Sequence, residues 1–78
     1  MDEATILGEL GSRIRAQRKA IGITQEQLAL NAGVDRSYFG AVERGERNVT
    51  FTVLCRICLA LQCDVADITS GIPTGCST

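Results

Sequence analysis

The chain has 78 residues, of which 45% are apolar and 22% charged, with a net charge of −1. That length supports one domain around one modest core, and the apolar share is too high for a disordered chain. There is no histidine, so the usual neutral-pH base and every Ser-His or Cys-His nucleophile are excluded; no phosphate-binding glycine loop is present either.

The longest apolar stretch is the five residues Ile57 to Leu61, against the roughly 20 needed to span a membrane. Asp2 and Glu3 stand where a secretory signal would carry positive charge. The chain is therefore expected to be a complete small cytoplasmic protein, not an enzyme, with no membrane partner.

The predicted elements are all helical, because no segment alternates polar and apolar residues for long enough to make a strand. The first helix is expected over 4–20, with Leu7, Leu10 and Ile14 as its core stripe and Gly22 behind it as a left-handed terminator. The next four helix starts share one signature. An N-cap side chain satisfies free backbone amides, and the apolar residue before it packs on one five positions later. Ile23-Thr24 pairs in this way with Leu28, Val34-Asp35 with Phe39, Val49-Thr50 with Leu54, and Cys63-Asp64 with Ile68. Thr24 also has Gln27 three residues on, a capping box.

The resulting helices run over 25–31, 36–43, 51–61 and 65–70. Phe51, Leu54, Ile57, Cys58 and Leu61 are expected to form the buried face of the fourth. A domain over 1–70 is followed by a short tail, 71–78, containing Gly71, Pro73 and Gly75 and expected to fray.

Charge is distributed unevenly along this frame. Residues 1–12 carry −3, residues 13–47 carry +3 and residues 48–78 carry −1, so an acidic chain can still present a positive face to phosphate. The basic middle coincides with a helix-turn-helix pattern, Gln25 to Arg44. Ala29 is small enough for a tight crossing, and Gly33 supplies the positive φ of the turn. Leu28, Ala32, Val34, Phe39 and Val42 are expected to point inward. Arg36, Ser37, Gly40, Ala41 and Arg44 are left on an outer face suited to a major groove about 12 Å wide.

This pattern resembles the DNA-binding domain of the phage Cro and repressor family, and it is similar to the controller proteins of restriction-modification systems. The residues that carry the resemblance are Leu10-Gly11, Arg13-Ile14-Arg15, Arg18, Gly22-Ile23-Thr24-Gln25-Glu26, Leu28-Ala29, Ala32-Gly33-Val34, Ser37-Tyr38, Val42-Glu43-Arg44-Gly45, Arg47-Asn48 and the Ile57-Cys58/Leu61 stripe. They span residues 8–70. Gln17 departs from the pattern where an apolar residue is common, and Val49 where proline is common.

The resemblance implies an all-α, five-helix, lambda-repressor-like domain that binds a palindromic operator as a homodimer and regulates transcription. It places Arg36 against base edges, with Ser37 and Ala41 as further candidates. It places Gln25 on the DNA backbone, where the second helix's N-terminus also favours phosphate. Tyr38, Arg44, Arg47 and Asn48 flank the groove face as backbone candidates. Arg18 and Glu43 are implied to form a structural ion pair. For the dimer, Val65, Ile68 and Ile72 offer apolar surface near the fifth helix.

Cys55 and Cys58 have the spacing of a zinc or redox pair, but Cys63 and Cys76 complete no second cluster. The cysteines are read as small hydrophobes, with no metal, no cofactor and no small-molecule effector expected. Two rival functions are a protein-interaction module such as an antitoxin component and a thiol-based switch at Cys55 and Cys58.

Overall fold

In the computed structural model, which describes residues 1–73, five helices follow one another: α1 (Glu3–Ile21), α2 (Gln25–Ala32), α3 (Arg36–Glu43), α4 (Phe51–Ala60) and α5 (Val65–Thr69). Residues Gly75 and Cys76 of the expected tail lie outside the described residues. None of the described helices is long and apolar enough to cross a membrane.

The helix starts follow from local chemistry. Thr24, Asp35 and Thr50 each accept a hydrogen bond from the backbone amide three residues on. At α2 the Gln27 side chain also returns to the Thr24 amide at 3.2 Å. At α5 the Asp64 amide donates to the Asp67 carboxylate at 2.9 Å. One start left no trace in the sequence reading: Asp2 caps α1 by accepting from the Thr5 amide at 2.8 Å, and this bond holds its carboxyl below the usual range. Gly22 and Gly33 end α1 and α2 at φ of 77° and 71°. The chain therefore turns sharply enough for α2 and α3 to form one unit.

The packing pairs are α1 with α3, α2 with α3, α2 with α4, α1 with α5, and α4 with α5. Leu10, Ile14, Leu28, Ala29, Ala32, Phe39, Val42, Leu54, Ile57, Cys58, Leu61 and Ile68 make a single core. Ile21, Ile23, Val34, Tyr38, Val49, Val53, Cys63 and Val65 close around it. The apolar residues that precede the caps of α2 to α5, Ile23, Val34, Val49 and Cys63, are all in this outer ring, as the staple pattern requires.

Two expectations of burial change. Phe51 is 69% exposed although it continues the α4 stripe; it occupies the first position of the helix, at the outer end of the apolar face. Leu7 is only partly buried. The close contact along α1 comes instead from Gly11, where an added Cβ would lie 2.4 Å from the Val42 carbonyl oxygen and 2.5 Å from that of Glu43. Only a residue without a side chain lets α1 pass this near the end of α3.

Two α1 side chains tie down the C-terminal helices. Gln17 donates to the Leu61 carbonyl at 3.2 Å, which explains a polar residue where an apolar one is common. Arg13 donates to the carbonyls of Ile68 and Ser70 and pairs with Glu9 at 3.1 Å. Free carbonyls at helix ends need such donors, and cations are favoured there.

Candidate nucleic-acid interface

The site begins with a buried charge. Arg18, in α1, meets Glu43, the last residue of α3, in a bidentate pair with Nε–Oε2 at 2.6 Å and Nη2–Oε1 at 3.1 Å. The third guanidinium nitrogen, Nη1, donates to the Ile23 carbonyl at 2.9 Å, at the entry to α2. One side chain therefore joins α1, the α1–α2 turn and α3. Buried charge is tolerable when every donor and acceptor is matched, and no described buried side-chain polar atom lacks a partner.

The network reaches the surface through Gln25. Its Nε2 donates to Glu43 Oε1 at 2.9 Å, the same oxygen that Arg18 Nη2 reaches. Gln25 is the first residue of α2, so its side chain is fixed beside the helix's free amides and positive dipole end. An open cleft lined by Arg18, Thr24, Gln25, Glu26 and Arg36 lies there. The starts of α2 and α3 thus share one opening, with the Arg36 cation on one rim and helix amides beside the Glu26 carboxylate on the other.

Along α3, Arg36 and Ser37 are exposed and Ala41 is half-buried. Gly40 differs from expectation: it is buried, because the Arg44 and Gln25 side chains close over it. A Cβ built there would lie 3.2 Å from Arg44 Nη1 and 3.6 Å from Gln25 Oε1. Gly40 therefore lets those two side chains cross the helix surface. Arg44 is exposed and pairs with Glu46 at 3.1 Å.

Past the end of α3, Arg47 and Asn48 are exposed and Tyr38 is partly buried. The Tyr38 hydroxyl donates to the Asn48 carbonyl at 3.0 Å, and the Arg47 guanidinium carbon stands 5.4 Å from the centre of its ring. Sequence reasoning named these residues separately; the contact among them is set by the return of the chain after α3.

On the opposite side, Val65 and Ile72 are half-buried. Ile68, expected beside them at a dimer face, is 3% exposed and belongs to the core, which leaves it no surface to offer a second chain. The most exposed apolar side chain of α4 is one the sequence reading did not single out, Leu59 at 81% exposure.

Cys55, Cys58 and Cys63 are free, and no group of three metal-ligating residues occurs among the described residues. Burial pushes the Cys58 thiol up to about 12 and raises that of Cys63, the opposite of what a reactive thiolate requires. Cys76 lies outside the described residues.

A tight α2–α3 unit on a helical core, with its outer α3 face polar, defines a helix-turn-helix domain. Residues 14–68 match the family described as Helix-turn-helix, and the chain belongs to this family of DNA-binding regulators. It is similar to the control protein C.SmaI of Serratia marcescens, 43% identical over 65 residues that make up 83% of this chain and 74% of that one. Among solved structures it resembles the restriction-modification controller protein C.AhdI from Aeromonas hydrophila, with 42% identity and a TM-score of 0.78 over 80% of this chain and 94% of that one. It also resembles the controller protein C.Esp1396I, solved as a tetramer in complex with its natural 35 base-pair operator. That match has 33% identity and a TM-score of 0.74, over 78% of this chain and 80% of that one.

Proposed function

We propose that the protein is a transcriptional regulator that binds a palindromic operator as a homodimer, acting by binding alone, in the cytoplasm and without a cofactor. The observation that carries this reading is the exposed start of α3, where Arg36 faces the same cleft as the N-terminus of α2. The DNA-bound state of the C.Esp1396I relative supports it.

In this reading α3 enters the major groove. Arg36 donates to a guanine edge, and Ser37 and Ala41 follow it along the groove, with Ala41 offering apolar contact to a thymine methyl. Gln25 holds a phosphate at the start of α2, and Arg44 and Arg47, with Tyr38 and Asn48 beside them, lie along the backbone. One short half-site gives little discrimination. A two-fold dimer places two reading helices about 34 Å apart on one face of the duplex. The α4–α5 side, with Leu59, Val65 and Ile72, supplies the apolar surface for that dimer.

Selection of bound sites from random duplex DNA tests the reading. A palindromic site should emerge. Arg36→Ala should then lose about 1–3 kcal/mol per half-site on that site, with little change on random DNA and with relaxed preference at one symmetric position. Equal losses on both duplexes, with the preferred sequence intact, would make Arg36 a phosphate clamp. No enriched site at all would overturn the regulator reading.

A further inference from the structure

Two arginines follow α3, and they stand in different electrostatic states. Arg44 is paired with Glu46 at 3.1 Å. Arg47 has no carboxylate partner among the described residues; its guanidinium carbon lies 5.4 Å from the centre of the Tyr38 ring, within the roughly 6 Å at which a cation is attracted to an aromatic face. Of the two, Arg47 is the one whose charge is left uncompensated for a phosphate.

The ring is itself fixed. The Tyr38 hydroxyl donates to the Asn48 carbonyl at 3.0 Å, and Asn48 Oδ1 accepts from the Val49 amide at 2.9 Å. Behind them the loop is pinned to α3, with the Glu46 amide donating to the Ala41 carbonyl at 2.9 Å. The single hydroxyl proton of Tyr38 is thus engaged within the protein. A guanidinium held over a ring face spends none of its N–H donors on a carboxylate.

We propose that Tyr38 is a positioning residue: its ring holds the Arg47 guanidinium ready for a DNA phosphate, and its hydroxyl fastens the loop that carries Arg47. The inference rests on the DNA-binding reading above and assigns Tyr38 an indirect part in it. A free arginine loses considerable rotamer freedom when it docks on a phosphate. One already held over the ring loses less, so the ring favours binding without touching DNA.

The test is a double-mutant cycle on the selected operator over a salt series, with thermal melting of each variant to confirm that it is folded. Arg47→Ala should weaken binding and lower the log-log salt slope by about one unit per chain. Tyr38→Leu should weaken binding about two- to fivefold per half-site, the size of an exposed cation–π contact. In the Arg47→Ala background the same change should add less than about twofold, since two changes that act through one contact are not additive. Tyr38→Phe, which keeps the ring, should lose less than Tyr38→Leu.

A measurement without DNA guards the argument if Tyr38→Leu melts too low to use: in the free wild-type protein the Arg47 δ-methylene protons should be shifted upfield by the ring. Additive losses, an unchanged salt slope in Arg47→Ala, a Tyr38→Phe loss as large as that of Tyr38→Leu, or no upfield shift would each overturn the positioning role. Wild-type protein that binds no duplex would overturn the DNA-binding reading beneath it.

Discussion

Where α1, α2 and α3 converge, the interior holds a matched arginine and glutamate, bound to each other and to Gln25 and Ile23 through four hydrogen bonds. Where α4 meets α5, it holds Ile57, Cys58, Leu61 and Ile68. The outer surfaces divide less cleanly: α3 exposes Arg36 and Ser37 with Arg44 at its end, but α2 exposes Leu30 as α4 exposes Leu59. Hydrogen bonds are directional, whereas apolar burial is not. The side proposed to present particular side chains to DNA is anchored by directional contacts. Between α4 and α5 the interior is held by packing, and the hydrogen bonds that Gln17 and Arg13 add there go to backbone carbonyls near the helix ends. The difference teaches that the polar interior of the reading side is part of how the site is aimed.

Breaking the anchor should have the largest effect. Glu43→Ala leaves Arg18 buried without its partner and frees Gln25, so unfolding by denaturant should show a loss of about 3–5 kcal/mol. No comparable polar dependence should exist between α4 and α5.

The close approach beneath the anchor comes next. Gly11→Ala gains helix propensity but forces a methyl against two carbonyl oxygens, and the same measurement should show a net loss of about 1–3 kcal/mol. Gly8, where an added Cβ meets nothing within 4 Å, is the matched control and should accept alanine without loss.

On the apolar side, Leu59→Glu should change the melting of the monomer by less than about 0.5 kcal/mol, since the residue is 81% exposed. Sedimentation should nevertheless show the dimer dissociating, and operator binding should weaken with it. A dimer that survives the change would move the interface away from α4.

The smallest effect concerns the thiols. With its pKa raised from 9.0 to about 12, Cys58 stays protonated in the folded state while the unfolded chain ionises from about pH 9 upward. Its contribution to stability is therefore complete below pH 9 and is lost as pH rises towards 12. At pH 7 native Cys58 should resist alkylation. The difference in stability between wild type and Cys58→Ala should narrow only on the alkaline side.

Helix starts were legible because their determinants lie within five residues of each other. Thr24, Asp35, Thr50 and Asp64 stand at the four expected boundaries, and each helix ends within a residue or two of its expected position. Asp2 carries the same signature, with Met1 before it and Ile6 five positions after Met1, but it was read only for its charge. Phe51 and Ile68 were misplaced for a different reason. Periodicity says which face of a helix is apolar, but not how far the neighbouring helices extend over it or whether another element covers the last turn.

The sequence by itself determined the five-helix order, the turn at Gly33 and the polar character of α3, since all three follow from short-range spacing and from conformations that glycine adopts readily. Its likeness to a known family also pointed to the Arg18–Glu43 pair, which the structure shows. Tertiary structure alone decided that Gln25 hangs from Glu43, that Gly11 lies against the end of α3, that Gln25 and Arg44 cover Gly40, and that Arg47 lies over the Tyr38 ring. Each of these joins residues on different helices or across a loop. Such contacts depend on the angle at which elements pack, and that angle is set by the whole core at once rather than by any one segment.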